Sequence, residues 1–357
     1  MSTEQNRDVV AAIEERRSVL AEEITNKCFD ARPELVQRYG RVGREKCLQD
    51  TNYHLSYLAE AIGAESPPLF GDYVAWAKVL LASVRVPARD LVFNLEVMRD
   101  ALQSKLPPDA GNIAAKYVND GIAAIPEMPT EIPTFISETT PLSDLAKDYL
   151  NLLLEGNRHL ASRRIREAVE GSTSIRDIYQ NVFEPVQHEI GRLWQTNRIS
   201  VAEEHYCTAA TQLIMSQLYP QMFGREKNGL RMVATCVGSE LHEIGVRMVA
   251  DFFEMEGWDT FYLGANVPIT SIIRTLKEKS AHLLAVSVTM TFHVRAVKEL
   301  IRAIRTEKTL AHVRILVGGY PFKVDPELWK YVGADGFGRT AEETMQVARE
   351  LFPGSHS

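Results

Sequence analysis

The 357-residue sequence has no apolar run approaching the roughly 20 residues that span a bilayer. Its start, Met1 to Asp8, is polar and lacks the apolar core of a secretion signal. The expectation is a cytoplasmic protein with no membrane partner. Basic charge is also scarce, with 40 Lys and Arg against 47 Asp and Glu, a net charge of −7. Gripping nucleic acid needs a concentrated basic surface, so no direct nucleic-acid partner is expected. Cysteine is sparse too. Cys28, Cys47, Cys207 and Cys236 are scattered, with neither zinc-site spacing nor the density of a disulfide framework.

What remains is an ordinary globular composition, 45% apolar and 24% charged. At about 150 residues per domain the length suggests two or three domains. Residues 1–106 read as an all-α amino-terminal sensor or interaction domain, with Val9, Val10, Ile13, Val19, Leu20 and Ile24 at near-helical spacing. Residues 107–141 contain Pro107, Pro108, Pro126, Pro129, Pro133 and Pro141, which suits an extended, stiff linker. Helical stripes return over 142–225, including Leu145, Tyr149, Leu152 and Leu153. Ser200 and Glu203 form a capping box that opens a helix through the low 220s.

From 230 to 352 the period changes. Met232–Val237, Thr260–Leu263, Leu283–Val288, Val313–Val317 and Asp335–Phe337 read as strands alternating with helices. That pattern predicts an α/β fold, a flavodoxin-like doubly wound parallel sheet, preceded by the helical bundle and the all-α domain. Ligands of such sheets sit beyond the strands' carboxyl ends.

The first strand leads into Gly238-Ser239-Glu240-Leu241-His242-Glu243-Ile244-Gly245. His242 stands before a helix amino terminus, whose dipole disfavours imidazolium, so a neutral, metal-competent ring is expected. Glu240 is placed to hold its other nitrogen, and Gly245 to let a ligand approach. The third strand ends in Ser287-Val288-Thr289, with hydroxyls for a polar tail, and the fourth in Gly318-Gly319, where close backbone approach is open.

Glu240-x-His242-x-x-Gly245, Ser287-x-Thr289 and Gly318-Gly319 resemble the pattern of the cobalamin-binding domain shared by methionine synthases, corrinoid carriers and cobalamin-dependent mutases. That pattern has Asp where this chain has Glu240. The resemblance implies His242 as the lower cobalt ligand, with the displaced nucleotide tail running toward Ser287 and Gly318-Gly319.

Trp194 precedes a short connection, and Glu204-His205 follow in the next helix. A short connection brings Trp194 and His205 to the same end of a helix pair. Trp194-x9-Glu204-His205 resembles the signature of adenosylcobalamin-dependent photoreceptors. In that family the tryptophan packs on the adenosyl group, the glutamate helps hold it, and the histidine becomes the upper ligand after light. The metal ligands implied are His242 and His205.

The amino-terminal helices show no DNA-binding stretch and many aromatics, among them Phe29, Tyr39, Tyr53, Tyr57, Phe70, Tyr73, Trp76 and Phe93, with His54 beside Tyr53 and Tyr57. A non-DNA-binding helical domain joined to such a cobalamin module resembles the photocobilins. The likeness is architectural, and it implies biliverdin as a second chromophore. Nothing in the spacing of Cys28 and Cys47 marks them as its attachment points. The expected protein is therefore a non-enzymatic light sensor, a homo-oligomer with light-dependent assembly, or one acting on a separate effector protein. The alternative is a methylcobalamin carrier serving a methyltransferase. A scaffold with vestigial binding is a third.

Overall fold

The computed structural model describes residues 3–222 and 226–353; the last three residues of the expected 142–225 segment lie outside the described residues. Six helices come first: α1 (Thr3–Glu14), α2 (Arg17–Ala31), α3 (Glu34–Gly63), α4 (Pro67–Ser83), α5 (Ala88–Lys105) and α6 (Pro108–Ala124). Proline shapes this region in an unexpected way. Pro108 opens α6, its fixed φ suiting a position whose N–H needs no intrahelical partner. The stretch after residue 107 therefore begins as helix rather than as an extended connector. Gly40, at φ 62°, kinks α3 near its start, a geometry that glycine adopts without steric cost.

A second helical set follows: α7 (Ser143–Leu154), α8 (Arg158–Glu170), the single turn α9 (Ile175–Ile178), α10 (Glu184–Gln195) and α11 (Val201–Leu218). A π-turn at Tyr179–Phe183 joins α9 to α10. The expected capping box opens α11, with Ser200 and Glu203 bonding each other's backbone N–H.

The remainder alternates strand and helix. It runs β1 (Arg231–Cys236), α12 (Ile244–Met255), β2 (Asp259–Gly264), α13 (Ile269–Glu278), β3 (Leu283–Ser287) and α14 (Val294–Thr306). It continues with β4 (Arg314–Gly318), α15 (Tyr320–Val324), α16 (Leu328–Val332), β5 (Gly336–Phe337) and α17 (Ala341–Leu351). All strand pairs are parallel, in the order β2-β1-β3-β4-β5. The order reverses between β1 and β3, where Cys236 pairs with Ser287. This is the expected flavodoxin-like sheet.

Two compact units result. One comprises residues 1–130 together with Met290–Lys298 and Tyr320–Val332. Its core includes Ile13, Ile24, Leu55, Leu58, Ile62, Phe70 and Leu95. The other holds Glu131–Thr289, Glu299–Gly319 and the chain from Gly333. There Tyr149, Tyr179, Phe183, Val186, Ile214 and Leu218 share one apolar cluster with Met232, Ala234, Phe252 and Phe253. The second helical set and the sheet thus form a continuous core. Among the described residues no helix is long and apolar enough to cross a membrane.

Candidate cofactor-binding site

The turn after β1 is built around Glu240. Its side chain is fully buried, and both oxygens are used. Oε1 accepts the backbone N–H groups of Leu241 at 3.0 Å and His242 at 3.1 Å, and it meets His242 Nδ1 at 2.6 Å. Oε2 reaches across to the end of β3 and accepts the Thr289 N–H at 2.8 Å. Three of the expected residues are thereby brought together at the switch point. The departure from Asp gains a physical reason as well: the carboxylate ties two strand ends, and the extra methylene supplies reach.

With Nδ1 engaged, Nε2 is the nitrogen that His242 offers outward, on a side chain 57% exposed. The helix dipole is not the dominant influence on this ring. The hydrogen bond to Glu240 raises the His242 pKa, and it outweighs the opposing effect of burial. The direction is opposite to the one expected of the dipole, and the carboxylate that orients the ring also favours a proton in its competition with a metal.

Gly245 stands open, since a Cβ there would meet nothing within 4 Å. Gly319 is different. Its φ is +103°, and an added Cβ would lie 1.8 Å from the Val288 carbonyl oxygen. The contact between the β3 and β4 exits already demands glycine at 319, whatever ligand approaches. Ser287 and Gly318 lie side by side in register.

Glu243 completes the turn, and sequence reasoning passed over it. Its Oε2 accepts the Ala265 N–H at 2.8 Å and its Oε1 the Gln212 amide at 2.8 Å. Gln212 lies on α11, so this bond fixes that helix against the β1 turn. Arg247 reinforces the seam through the Gln212 carbonyl at 3.0 Å and Ser216 Oγ at 2.7 Å. Farther along, Tyr179 and Tyr219 both donate to Asp251, at 2.8 and 3.0 Å.

These contacts fix the direction of α11. Residues 212, 216 and 219 meet 243, 247 and 251 in rising order, so α11 and α12 run alongside each other in the same sense. Glu204 precedes Gln212 by eight positions, about 12 Å of helix, and so overhangs the turn that carries His242. Its charge is among the influences that raise the His242 pKa. Glu204 bonds the ring Nδ1 of His205, which is 74% exposed, and accepts from Thr208 at 3.0 Å. Trp194 stands partly buried in the last turn of α10, across the connection 196–200.

The site therefore offers imidazoles on two elements, each held through Nδ1 by a carboxylate. Among the described residues no cluster of three or more His, Cys, Asp or Glu side chains is arranged to hold a bare metal ion. His242, and His205 across from it, would be the residues to meet a metal brought in by a larger cofactor. Residues 230–348 match the B12 binding domain model, and residues 145–219 match a second B12 binding domain model. Residues 145–219 and 230–348 thus form a B12-binding module.

The cobalamin module has relatives among corrinoid proteins. Dimethylamine corrinoid protein 2 of Methanosarcina mazei is 24% identical over 182 residues, 49% of this chain and 82% of the relative. A corrinoid protein of Desulfitobacterium hafniense is 20% identical over 217 residues, 59% of this chain and 99% of its own length. The structure of the monomethylamine corrinoid protein of Methanosarcina barkeri superposes with a TM-score of 0.52 at 21% identity, over 59% of this chain and all of that one. This likeness establishes the shared fold. Residues 1–125 match a different model, Phycobilisome protein. The three relatives of the cobalamin module are named as corrinoid proteins, none of them for a response to light.

In the amino-terminal helices, His54 is buried at 3% exposure and shares a 2.7 Å hydrogen bond with Tyr73. Tyr73 stacks on Tyr57 at 3.7 Å and packs near Trp76. Cys28 and Cys47 both lie 3.6 Å from the Asn94 amide. Burial pushes both thiols up, Cys28 to about 12, which suppresses the thiolate that covalent attachment requires.

Proposed function

We propose that this protein is a non-catalytic, cytoplasmic light sensor that holds adenosylcobalamin between His242 and the start of α11. The observation that carries the reading is the overhang of Glu204-His205 above the His242 turn. When bound, adenosylcobalamin supplies a light-cleavable cobalt–carbon bond and an upper face that can accept a nitrogen donor. His242, oriented by Glu240, would hold the cofactor through Nε2. Trp194, Glu204 and His205 would line its other side. Glu204 holds His205 by Nδ1, which would leave Nε2 as the nitrogen able to bind there after illumination. Engagement of His205 would bear on α11, and a helix shift is a recognised way to bias an interface. The output in this proposal is altered homo-oligomer assembly or contact with a separate effector protein.

Biliverdin is the second chromophore of the proposal. Support comes from the Phycobilisome protein match over residues 1–125, which coincides with the aromatic group Tyr57, Tyr73 and Trp76. The Desulfitobacterium relative is matched over almost its whole length by 59% of this chain. This chain therefore carries a large segment that a corrinoid protein of that size does not need.

The second reading is a methylcobalamin carrier for a methyltransferase. It is favoured by the relatives, which are corrinoid proteins named for methylamines.

One experiment separates the two. The protein is reconstituted in the dark with adenosylcobalamin, with and without biliverdin, and its absorption is recorded before and after illumination. The sensor reading expects a light-driven change toward a bis-imidazole spectrum, and a different lit spectrum for His205→Ala with cofactor retained. A lit spectrum unaffected by that substitution removes His205 from the role. No response to light, together with methyl transfer to a partner protein, establishes the carrier.

A further inference from the structure

Met290–Lys298 and Tyr320–Val332 continue the chain from the ends of β3 and β4, yet they pack with the amino-terminal helices as one unit. Glu60, near the end of α3, is the centre of that packing. Its side chain is 0% exposed, and both oxygens serve Arg295: Oε1 accepts the backbone N–H and Oε2 accepts Nε, each at 2.6 Å. A second guanidinium nitrogen reaches Glu14 of α1 at 2.9 Å. Phe292 meets Tyr57 edge-on at 5.3 Å. In the other segment, Tyr320 donates to Asp72 at 2.8 Å, and Ser66 donates to Asp325 at 2.6 Å.

Burying a carboxylate is unfavourable unless it is paired and hydrogen-bonded. An apolar residue at 60 would serve the helical core equally well. The acid is matched instead to a residue 235 positions away, on the segment that leaves β3. Thr289, which directly precedes that segment, is held from its other side by Glu240, the partner of His242. Ser287 and Gly318-Gly319 end the same two strands whose continuations the helices hold. The chain leaving each strand end read as the tail site is thus held by the amino-terminal helices.

We propose that Glu60, acting through Arg295, is a positioning residue for the nucleotide tail of the corrinoid, so that tail binding and the amino-terminal helices are energetically linked. The ligand distinguished is a corrinoid bearing the nucleotide, as against one without it. Linkage is reciprocal: if the helices improve tail binding, the tail must stabilise the helices. The proposal rests on the cobalamin-binding assignment and is independent of any response to light.

The test uses the full chain in the dark, titrated with cobalamin and with cobinamide, which lacks the nucleotide. Glu60→Gln keeps the shape and one acceptor but loses the charge. Arg295→Lys keeps the charge but cannot reproduce the guanidinium bridge to two carboxylates. Both variants should bind cobalamin roughly 5-fold or more weakly, with cobinamide affinity unchanged. Hydrogen exchange supplies a second readout. Cobalamin, and not cobinamide, should slow exchange in residues 53–62 of α3, and either substitution should abolish that difference. Wild-type cobalamin affinity in both folded variants, or an equal loss for both corrinoids, overturns the proposal. If Glu60→Gln does not fold, Arg295→Lys carries the test alone. Because every measurement is made in the dark, a failed light response leaves this result untouched.

Discussion

The Glu240 carboxylate accepts the Thr289 backbone N–H at 2.8 Å across the point where the sheet reverses its strand order. One side chain thus orients the proposed lower ligand and fixes the neighbouring strand end. Glu240→Ala should weaken cobalamin binding by about 10- to 100-fold, the usual effect of losing a ligand's supporting partner. Glu240→Asp should fall between that variant and the wild type, because the shorter side chain cannot serve both sides fully. Titration followed by absorption checks this. Unchanged affinity in the alanine variant would remove Glu240 from the role.

The two glycines of the site should separate fold from binding. Gly319→Ala meets both a positive φ and the Val288 carbonyl, so the apoprotein should lose about 2–4 kcal/mol. Gly245→Ala meets nothing within 4 Å. Its apoprotein should melt at the wild-type temperature while cobalamin binds less well. Thermal melts of both apoproteins, followed by titration, test the pair. A destabilised Gly245→Ala apoprotein would contradict the open approach at that position.

Acid should loosen the amino-terminal helices through His54. Burial lowers its pKa from 6.5 to about 4. The folded state thus resists protonation that the unfolded chain accepts. The stability this neutral ring contributes is fully present above about pH 6.5 and is lost as pH falls toward 4, at about 1.4 kcal/mol per pH unit. Denaturant titrations at pH 7, 5.5 and 4, with a probe in residues 1–130, should show this slope in the wild type. His54→Gln should flatten it; parallel slopes would assign the acid sensitivity elsewhere.

Asp251 accepts from both Tyr179 and Tyr219, joining the second helical set to α12. Asp251→Leu leaves two phenols without their acceptor, so stability should fall by about 2–4 kcal/mol. The restoring control is Tyr179→Phe/Tyr219→Phe in the leucine background, which removes the stranded donors and should recover part of the loss. No recovery would place the effect in packing rather than hydrogen bonding.

Much of the cobalamin module was legible because its signals are local. Each strand lies within a residue or two of the expected β-rich segment, and Ser200 with Glu203 announced α11 three residues apart. His242, Glu240 and Thr289 were recognisable from short motifs at strand ends. What escaped depends on distance along the chain. Glu60 reads as one more acid on a helix, and only the fold brings Arg295 to it. Gln212 carries no signature until Glu243 lies against it. Prolines 107 and 108 were read as a break, although proline also begins helices. The sign of the His242 shift escaped for a related reason. The helix dipole can be inferred locally, whereas the burial of Glu240 depends on the assembled strand ends.

α11 is anchored along its whole length. Near its start Tyr206 donates to the Gly156 carbonyl at 2.6 Å, Thr208 donates to Gln187 of α10 at 3.2 Å, and Cys207 is fully buried. Gln212, Ser216 and the following Tyr219 hold the other end against α12. The His205 side chain stands exposed on this stiff mount. A pull on that ring is therefore shared at once with α10, the α7–α8 connection and α12, so the helical set answers as one body rather than as a single swinging rod.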